Sequence, residues 1–215
     1  MKVEIYYSPI FHIVVRDMFS AKENKEILKE ALSLEDKFLD SYLENGKINK
    51  EFRSNRTALY DNIYKGKREE SVLLRSIDNI FQNQQIREIM GSSEYPFTEI
   101  SNTNTHETQV SRYGDDQFYK WHVDAETIGG TSRMLTFVYY FNETPKKFSG
   151  GELEISNTPI YHGELVQDGD VKKIEIENNM MIIFNSHKAH RVLPTKSPKT
   201  FKQGRFSVNC WVGKR

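Results

Sequence analysis

The run YKWHVDAE, residues 119–126, places His122 and Asp124 two positions apart. In an extended chain, residues i and i+2 face the same side, so an imidazole and a carboxylate can reach one point. The pair alone is a weak signal, because a metal site needs at least a third ligand. His187 and His190, in NSHKAHRVLP, are the candidates. His190 follows Asp124 by 66 residues, enough chain for several strands to lead back to the same place. It opens a strand in phase with Val192, whereas His187 falls in the turn after Asn185-Ser186 and is read as solvent-exposed. Two His and one carboxylate on one face leave three metal positions open, which suits iron(II) that must take both a co-substrate and O2. Zinc catalysis uses the same donors, normally with one open position.

A second feature lies downstream, in QGRFSVNCWV. On a two-residue period Arg205, Ser207, Asn209 and Trp211 share a face. An inward-facing guanidinium is costly unless an anion meets it. That anion is either a protein carboxylate or the carboxylate of a ligand, which a guanidinium fork accepts bidentately.

The elements that must position these residues change character along the chain. YYSPIFHIVV (6–15) is rich in strand formers. Ser20-x-x-Glu23 is a capping box that opens a helix with Ile27, Leu28 and Leu32 on one face. LEDKFLDSYLE reads as a second helix stopping near Gly46. Residues 68–90 read as a third, with Leu73, Leu74, Ile77, Ile80 and Phe81 at helical spacing and Gly91 as terminator. Beyond it lie short β-branched and aromatic runs: HETQVSRY, RMLTFVYYFN, GELEIS, VKKIEIE, MMIIF, HRVLP and RFSVNCWV. Turn residues punctuate them at Gly114-Asp115, Gly129-Gly130, Gly150-Gly151, Asp168-Gly169 and Asn178-Asn179. Short strands so spaced predict a sandwich or barrel rather than βαβ units. The expected architecture is mainly β with supporting α-helices covering one sheet face. A single domain over 1–215 is expected, with an N-terminal strand and helices in 1–95 and the β core in 96–215.

The chain has 30 basic and 30 acidic residues, which argues against non-specific nucleic-acid binding. Its single Cys allows no internal disulfide and fits a reducing, cytoplasmic setting. His12, Arg16 and Asp17 interrupt the apolar N-terminus, so neither a signal peptide nor a membrane span is expected. Nothing in the sequence gives the oligomeric state.

The ordered run Tyr113, Tyr119-x-x-His122-x-Asp124, LTFVYYFN, SGGELEI, His190-x-Val192-x-Pro194 and Gly204-Arg205-x-Ser207 resembles the Fe(II)/2-oxoglutarate-dependent dioxygenases. Within them it is most similar to the prolyl 4-hydroxylase-like and PKHD-type hydroxylases, over roughly residues 105–212. The resemblance implies a double-stranded β-helix, the jelly-roll or cupin-like core. It implies Fe(II) on His122, Asp124 and His190, and 2-oxoglutarate bound with its far carboxylate on Arg205. Tyr140 matches the position whose hydroxyl joins that Arg, with Tyr139 the alternative should the register slip by one. Tyr113, Leu153, Val192 and Ser207 match positions around the co-substrate; Tyr119 and Trp211 match positions lining the substrate pocket. The separation of 15 residues from His190 to Arg205 is longer than the family usually shows, so the extra residues of KSPKTFKQ are assigned to a turn, with Lys202 as the substitute anchor. Ascorbate is implied as a possible reductant. Asp124 favours hydroxylation, since related halogenases lack that carboxylate.

Other residues carry less. Trp121 is read as packing, and His12, His106 and His162 have no partner pattern. EFRSNRTALYDNIYKGK (51–67) is either a connecting loop or a lid over the site, in which Arg53 and Arg56 would meet a substrate carboxylate or backbone carbonyls. The resemblance implies hydroxylation of a prolyl residue in a peptide or protein. A free amino acid or other small molecule is the alternative substrate, and a catalytically silent jelly-roll used for protein interaction is the alternative from a different class.

Overall fold

A computed structural model describes residues 1–43, 46–91, 105–125, 127–128 and 131–214. The N-terminal part contributes strands β1 (Lys2–Tyr6) and β2 (His12–Arg16), helix α1 (Ala21–Ser33) and strands β3 (Leu39–Asp40) and β4 (Arg56–Leu59). Helices α2 (Tyr60–Ile63), α3 (Val72–Gln82) and α4 (Gln84–Gly91) follow. Then come β5 (Thr105–Tyr113), β6 (Tyr119–His122), β7 (Thr127–Ile128), β8 (Thr131–Phe141), β9 (Ser149–Gly150) and β10 (Leu153–Ser156). A small hairpin, β11 (Ile160–Tyr161) and β12 (Glu164–Leu165), precedes β13 (Val171–Ile174). The last strands are β14 (Met180–Asn185), β15 (Ala189–Val192), β16 (Thr195–Lys196) and β17 (Arg205–Lys214).

The strands form two main antiparallel sheets. The larger runs β1-β2-β14-β8-β17-β5-β4-β3, with β7 also on β8; the smaller runs β13-β10-β15-β6. This is the jelly-roll expected from the sequence. Each long strand of the large sheet serves two cores by alternation. One face, through Phe137, Tyr139, Phe141, Met181, Ile183, Val208 and Cys210, packs on Ile27, Leu73, Leu74, Ile77 and Ile86 of the helices. The other, through Val138, Tyr140, Met180, Ile182 and Phe184, packs on Leu153, Ile155 and Ile174 of the small sheet. Runs such as MMIIF and FVYYF are apolar throughout because both faces are buried. No helix among the described residues is long and apolar enough to cross a membrane.

The capping box forms as the sequence predicts: Glu23 N–H donates to Ser20 Oγ and Ser20 N–H donates to Glu23 Oε2. Three other expectations are corrected. The strand-rich stretch 6–15 is split between β1 and β2, with Pro9 in the intervening turn. The helix expected over 68–90 is a 3-10 turn at Arg68–Glu70 followed by α3 and α4, each capped by a side chain at its own start. Ser71 Oγ accepts from Leu74 N–H, and Asn83 Oδ1 accepts from Ile86 N–H. The helix expected in LEDKFLDSYLE is a single 3-10 turn, Glu35–Lys37, followed by β3. The physical reason is Phe38. It is fully buried, with its ring edge-on to Phe201 at 5.1 Å and Phe206 at 6.3 Å. Leu39 and Asp40 pair with Thr57 and Arg56, and this ladder with the aromatic anchor overrides a short helical periodicity.

The extra residues before Arg205 hold a 3-10 turn, Phe201–Gln203. Arg112 clamps it, donating from Nη2 to the Thr200 carbonyl at 2.9 Å and from Nε to the Phe201 carbonyl at 3.3 Å. The insertion is thus absorbed outside the sheet, and Arg205 enters β17 directly opposite Tyr113. Phe38→Ala should cost about 3–5 kcal/mol of stability in urea unfolding, the usual range for emptying a buried aromatic site; a helical 34–44 with Phe38 outside the core would give much less.

Candidate active site

The first two ligand candidates meet because two strands are paired. His122 ends β6 and His190 lies on β15, and the two are direct partners in the antiparallel register. Their ring centroids are 4.0 Å apart. Asp124 follows just beyond β6, fixed by its backbone N–H donating to the Ser186 carbonyl at 3.0 Å. Its Oδ1 lies 3.9 Å from His122 Nε2 and its Oδ2 3.3 Å from His190 Nε2. One ligand atom from each of the three lies within 4.8 Å of the others, and all three residues are buried.

The hydrogen bonds around the imidazoles set their tautomers. Each Nδ1 faces the backbone carbonyl two residues earlier: His122 to Lys120 at 2.8 Å, His190 to Lys188 at 3.0 Å. A carbonyl only accepts, so both Nδ1 atoms carry a proton and both Nε2 atoms point inward toward Asp124. His190 Nε2 has no hydrogen-bond partner. Burial, then the neighbouring His190, push the pKa of His122 well down, so its imidazole is neutral. Burial pushes the Asp124 carboxyl up, but His190 and His122 outweigh it and hold the group below the usual carboxylate range. Neutral imidazoles and an ionised carboxylate are the forms that bind a metal. The donor set, with its orphaned Nε2, fits a divalent cation with open positions.

Tyr119 stacks on His122 at 3.5 Å between ring centroids, and Phe184 meets His190 edge-on at 4.9 Å. Thr136 Oγ1 donates to Asp124 Oδ2 at 2.9 Å and lies 3.0 Å from Ser186 Oγ. Sequence reasoning missed Thr136 and Ser186. Thr136 had a signal, since it shares the inward parity of Tyr140 on β8.

The second cluster surrounds Arg205, which is only 1% exposed. Its Nε donates to the Gly151 carbonyl at 2.7 Å and its Nη1 to Ser207 Oγ at 3.4 Å. The guanidinium carbon lies 4.7 Å from the Tyr113 ring and 4.9 Å from the Tyr140 ring. Tyr140, not Tyr139, is therefore the inward tyrosine; Tyr139 faces the helices and donates to Asn24 Oδ1 at 2.6 Å. The Tyr140 hydroxyl and Thr195 Oγ1 are buried without partners. Among the described residues no carboxylate neutralises Arg205. Gly151 has φ +70°, and a Cβ there would sit 2.6 Å from Arg205 Cδ, so glycine is required on both counts. Leu153 and Val192 are register partners and buried beside His190. A buried cation with two orphaned hydroxyls fits the far carboxylate of a small dicarboxylate.

Several expectations are settled by placement. Lys202 is exposed and faces Glu143 at 3.7 Å, so it is not the anchor. His187 is exposed and takes no part in the cluster. Arg56 is corrected: its guanidinium donates to the Phe38 carbonyl and lines no described cavity. The 51–67 segment is not an open connection, because its middle is β4, paired to β3 and β5, and helix α2. Arg53 forms a bridge to Tyr119, and its guanidinium carbon lies 4.6 Å from that ring. Trp121 is buried beneath Arg191, as packing predicts. His12 is buried and stacked on Tyr6, and His162 sits in the β11–β12 turn; the His106 side chain lies outside the described residues.

Two depressions open on the triad. One, of about 200 Å³, is lined by Arg53, Gln109, Arg133, Asn209 and Trp211 together with His122 and Asp124. The other, of about 520 Å³, is lined by Phe52, Trp121, Tyr161 and His162. They share Leu43, Tyr119, His122 and Val123. A larger cleft of about 990 Å³ lies elsewhere, at the start of α1.

Residues 108–213, about half of the chain, match the model of the 2OG-Fe(II) oxygenase superfamily. The chain belongs to that superfamily. An uncharacterized PKHD-type hydroxylase of Synechocystis sp. is 28% identical to this oxygenase over 202 residues, which are 94% of this chain. The chain spans 62% of the length of that relative. A prolyl-4-hydroxylase of Pseudomonas putida shares the fold, with TM-score 0.66 and 18% identity over 95% of this chain and 92% of its own. A Trichoplax adhaerens prolyl hydroxylase, solved with a hypoxia inducible factor peptide fragment, gives 0.65 and 18% over 94% and 83%.

Thr136→Val should lower the affinity of the oxygenase for Fe(II) by roughly 10- to 100-fold, the range for losing a hydrogen bond that orients a metal ligand. Anaerobic metal titration, with thermal unfolding as the folding control, reads this out. Unchanged affinity would remove Thr136 from the site.

Proposed function

We propose that this oxygenase hydroxylates an unactivated C–H bond using Fe(II), 2-oxoglutarate and O2, and that its substrate is a prolyl residue in a peptide or protein. The observation that carries the reaction class is the convergence of two inward-turned Nε2 atoms and one ionised carboxylate in a buried cluster, beside a buried guanidinium that meets no carboxylate among the described residues. A silent interaction module has no use for either, since both are costly when unfilled.

His122, Asp124 and His190 would hold the iron. Arg205, Tyr140 and Thr195 would bind the far carboxylate of 2-oxoglutarate. When bound, the metal and co-substrate supply the oxidising chemistry, in which 2-oxoglutarate is decarboxylated to succinate and one oxygen atom goes to the substrate carbon. The protein's part is placement and exclusion of water. Tyr119 and Phe184 brace the imidazoles, and Thr136 orients the carboxylate. Leu153 and Val192 keep the co-substrate side apolar, and Trp211 walls the substrate side.

The peptide reading is supported by the two depressions that meet at His122, which leave room for a chain on either side of the reacting residue. Their rims carry exposed Tyr42, Leu59 and Tyr161. The likeness to structures of prolyl hydroxylases adds to it.

The test is incubation of the protein with Fe(II), 2-oxoglutarate, ascorbate and a proline-containing peptide pool. Succinate release coupled to gain of one oxygen atom on a peptide is expected, and His190→Ala should abolish both. Turnover with free amino acids alone would overturn the peptide reading; none with either would overturn the reaction class. Arg205→Ala should weaken 2-oxoglutarate binding by about 2–5 kcal/mol in anaerobic calorimetry, the scale for removing one partner of a buried charge pair. Unchanged affinity would remove Arg205 from the co-substrate site.

A further inference from the structure

Among the arginines, two that lie at the site share an unusual environment. Arg16 pairs with Glu4 and Glu177, Arg68 with Asp61 and Asp78, and Arg191 with Glu154. Arg53 and Arg205 are both more than nine-tenths buried, yet among the described residues neither meets a carboxylate. Arg56 and Arg112 also lack one, but they close on backbone carbonyls and line no described cavity. Arg53 lines the depression that contains His122, Asp124 and Trp211.

Arg53 is held by neutral acceptors alone. Its Nε donates to Asn55 Oδ1 at 2.8 Å and its Nη2 to Gln109 Oε1 at 3.2 Å. Asn55 is in turn fixed by Ser41, whose hydroxyl lies within donating reach of the Asn55 carbonyl at 2.8 Å and of Asn55 Oδ1 at 3.0 Å. These contacts aim the guanidinium without neutralising it, and Nη1 has no hydrogen-bond partner among the described residues. A desolvated, pre-aimed fork with donors to spare is built for an anion. Arg205 presents the same arrangement to the co-substrate, so two such forks imply two carboxylates, one from each reactant.

We propose that Arg53 binds a carboxylate of the prime substrate, so that the site selects a substrate with a carboxylate next to the residue that is oxidised. This rests on the reading of the His122–Asp124–His190 cluster as the catalytic centre. The carboxylate comes either from an acidic side chain flanking the target in a peptide or from the α-carboxylate of a free amino acid.

Calorimetry of the anaerobic protein loaded with Fe(II) and 2-oxoglutarate separates the two sources. The probes are blocked peptides with Glu on one side of proline against their Gln counterparts, and L-proline against L-prolinamide. In at least one pair the carboxylate member should bind roughly tenfold or more tightly, the factor for a charge-assisted hydrogen bond. The pair that shows it names the source. Arg53→Gln should erase the preference and Arg53→Lys keep part of it. Gln109→Glu, which hands Arg53 an internal carboxylate in the same volume, should erase it too and stands in should Arg53→Gln fail to fold. No preference in any pair, or a preference that survives both Arg53→Gln and Gln109→Glu, would overturn the proposal. Failure of the wild-type protein to bind 2-oxoglutarate would instead overturn the reading of the centre itself.

Discussion

Two imidazoles and a carboxylate converge in the middle of this protein. His190 Nε2, turned inward because Nδ1 gives its hydrogen to the Lys188 carbonyl, lies 3.3 Å from Asp124 Oδ2. His122 Nε2 is turned inward in the same way by the Lys120 carbonyl and lies 3.9 Å from Oδ1. Two imidazole nitrogens and a carboxylate brought this close offer a divalent cation three donor atoms at one point. The cluster therefore suits a metal, and much of the surrounding structure holds its three side chains in place. The β6–β15 register sets the two imidazoles side by side, and Tyr119 and Phe184 limit their rotation. Ser186 fixes the Asp124 backbone and Thr136 its carboxylate.

The double-faced large sheet makes such a centre affordable in stability terms. On β8, Tyr139 and Phe137 go to the helix side, while Thr136, Val138 and Tyr140 go to the small-sheet side. One strand thereby anchors the fold with one parity and furnishes the pocket with the other. β17 does likewise, with Phe206, Val208 and Cys210 outward to the helices and Arg205, Ser207 and Trp211 inward. The helices act at a distance: they bury one face of the sheet so that the other can carry buried charge.

What was legible in the sequence follows the same division. The parity of His122 with Asp124, and of Arg205 within its strand, is readable from the residues, while their joint role with His190 is what the resemblance to the dioxygenases implies. Tyr140 was readable up to a one-residue slip, which only the β8–β17 register settles. Thr136, Ser186 and Thr195 were not found, since hydroxyl residues are common in strands and their role depends on what lies across the sheet. Arg53 and Arg56 look alike in the sequence, although an odd separation in extended chain sends them to opposite faces. The segment 34–44 looks helical in the sequence because its local periodicity is real but short, and the burial of Phe38 among Phe201 and Phe206 comes from a part of the chain about 165 residues away.

The central claim is that three buried side chains, and not their neighbours, hold one divalent cation. Anaerobic titration with Fe(II), or with Co(II) as a spectroscopic substitute, tests it most directly in wild-type protein and in His122→Ala, Asp124→Ala, His190→Ala and His187→Ala. Binding of one equivalent by the wild type and by His187→Ala, with loss in the other three folded variants, is the result this account predicts. Wild-type affinity in any of those three, or its loss on replacing the exposed His187, would contradict it.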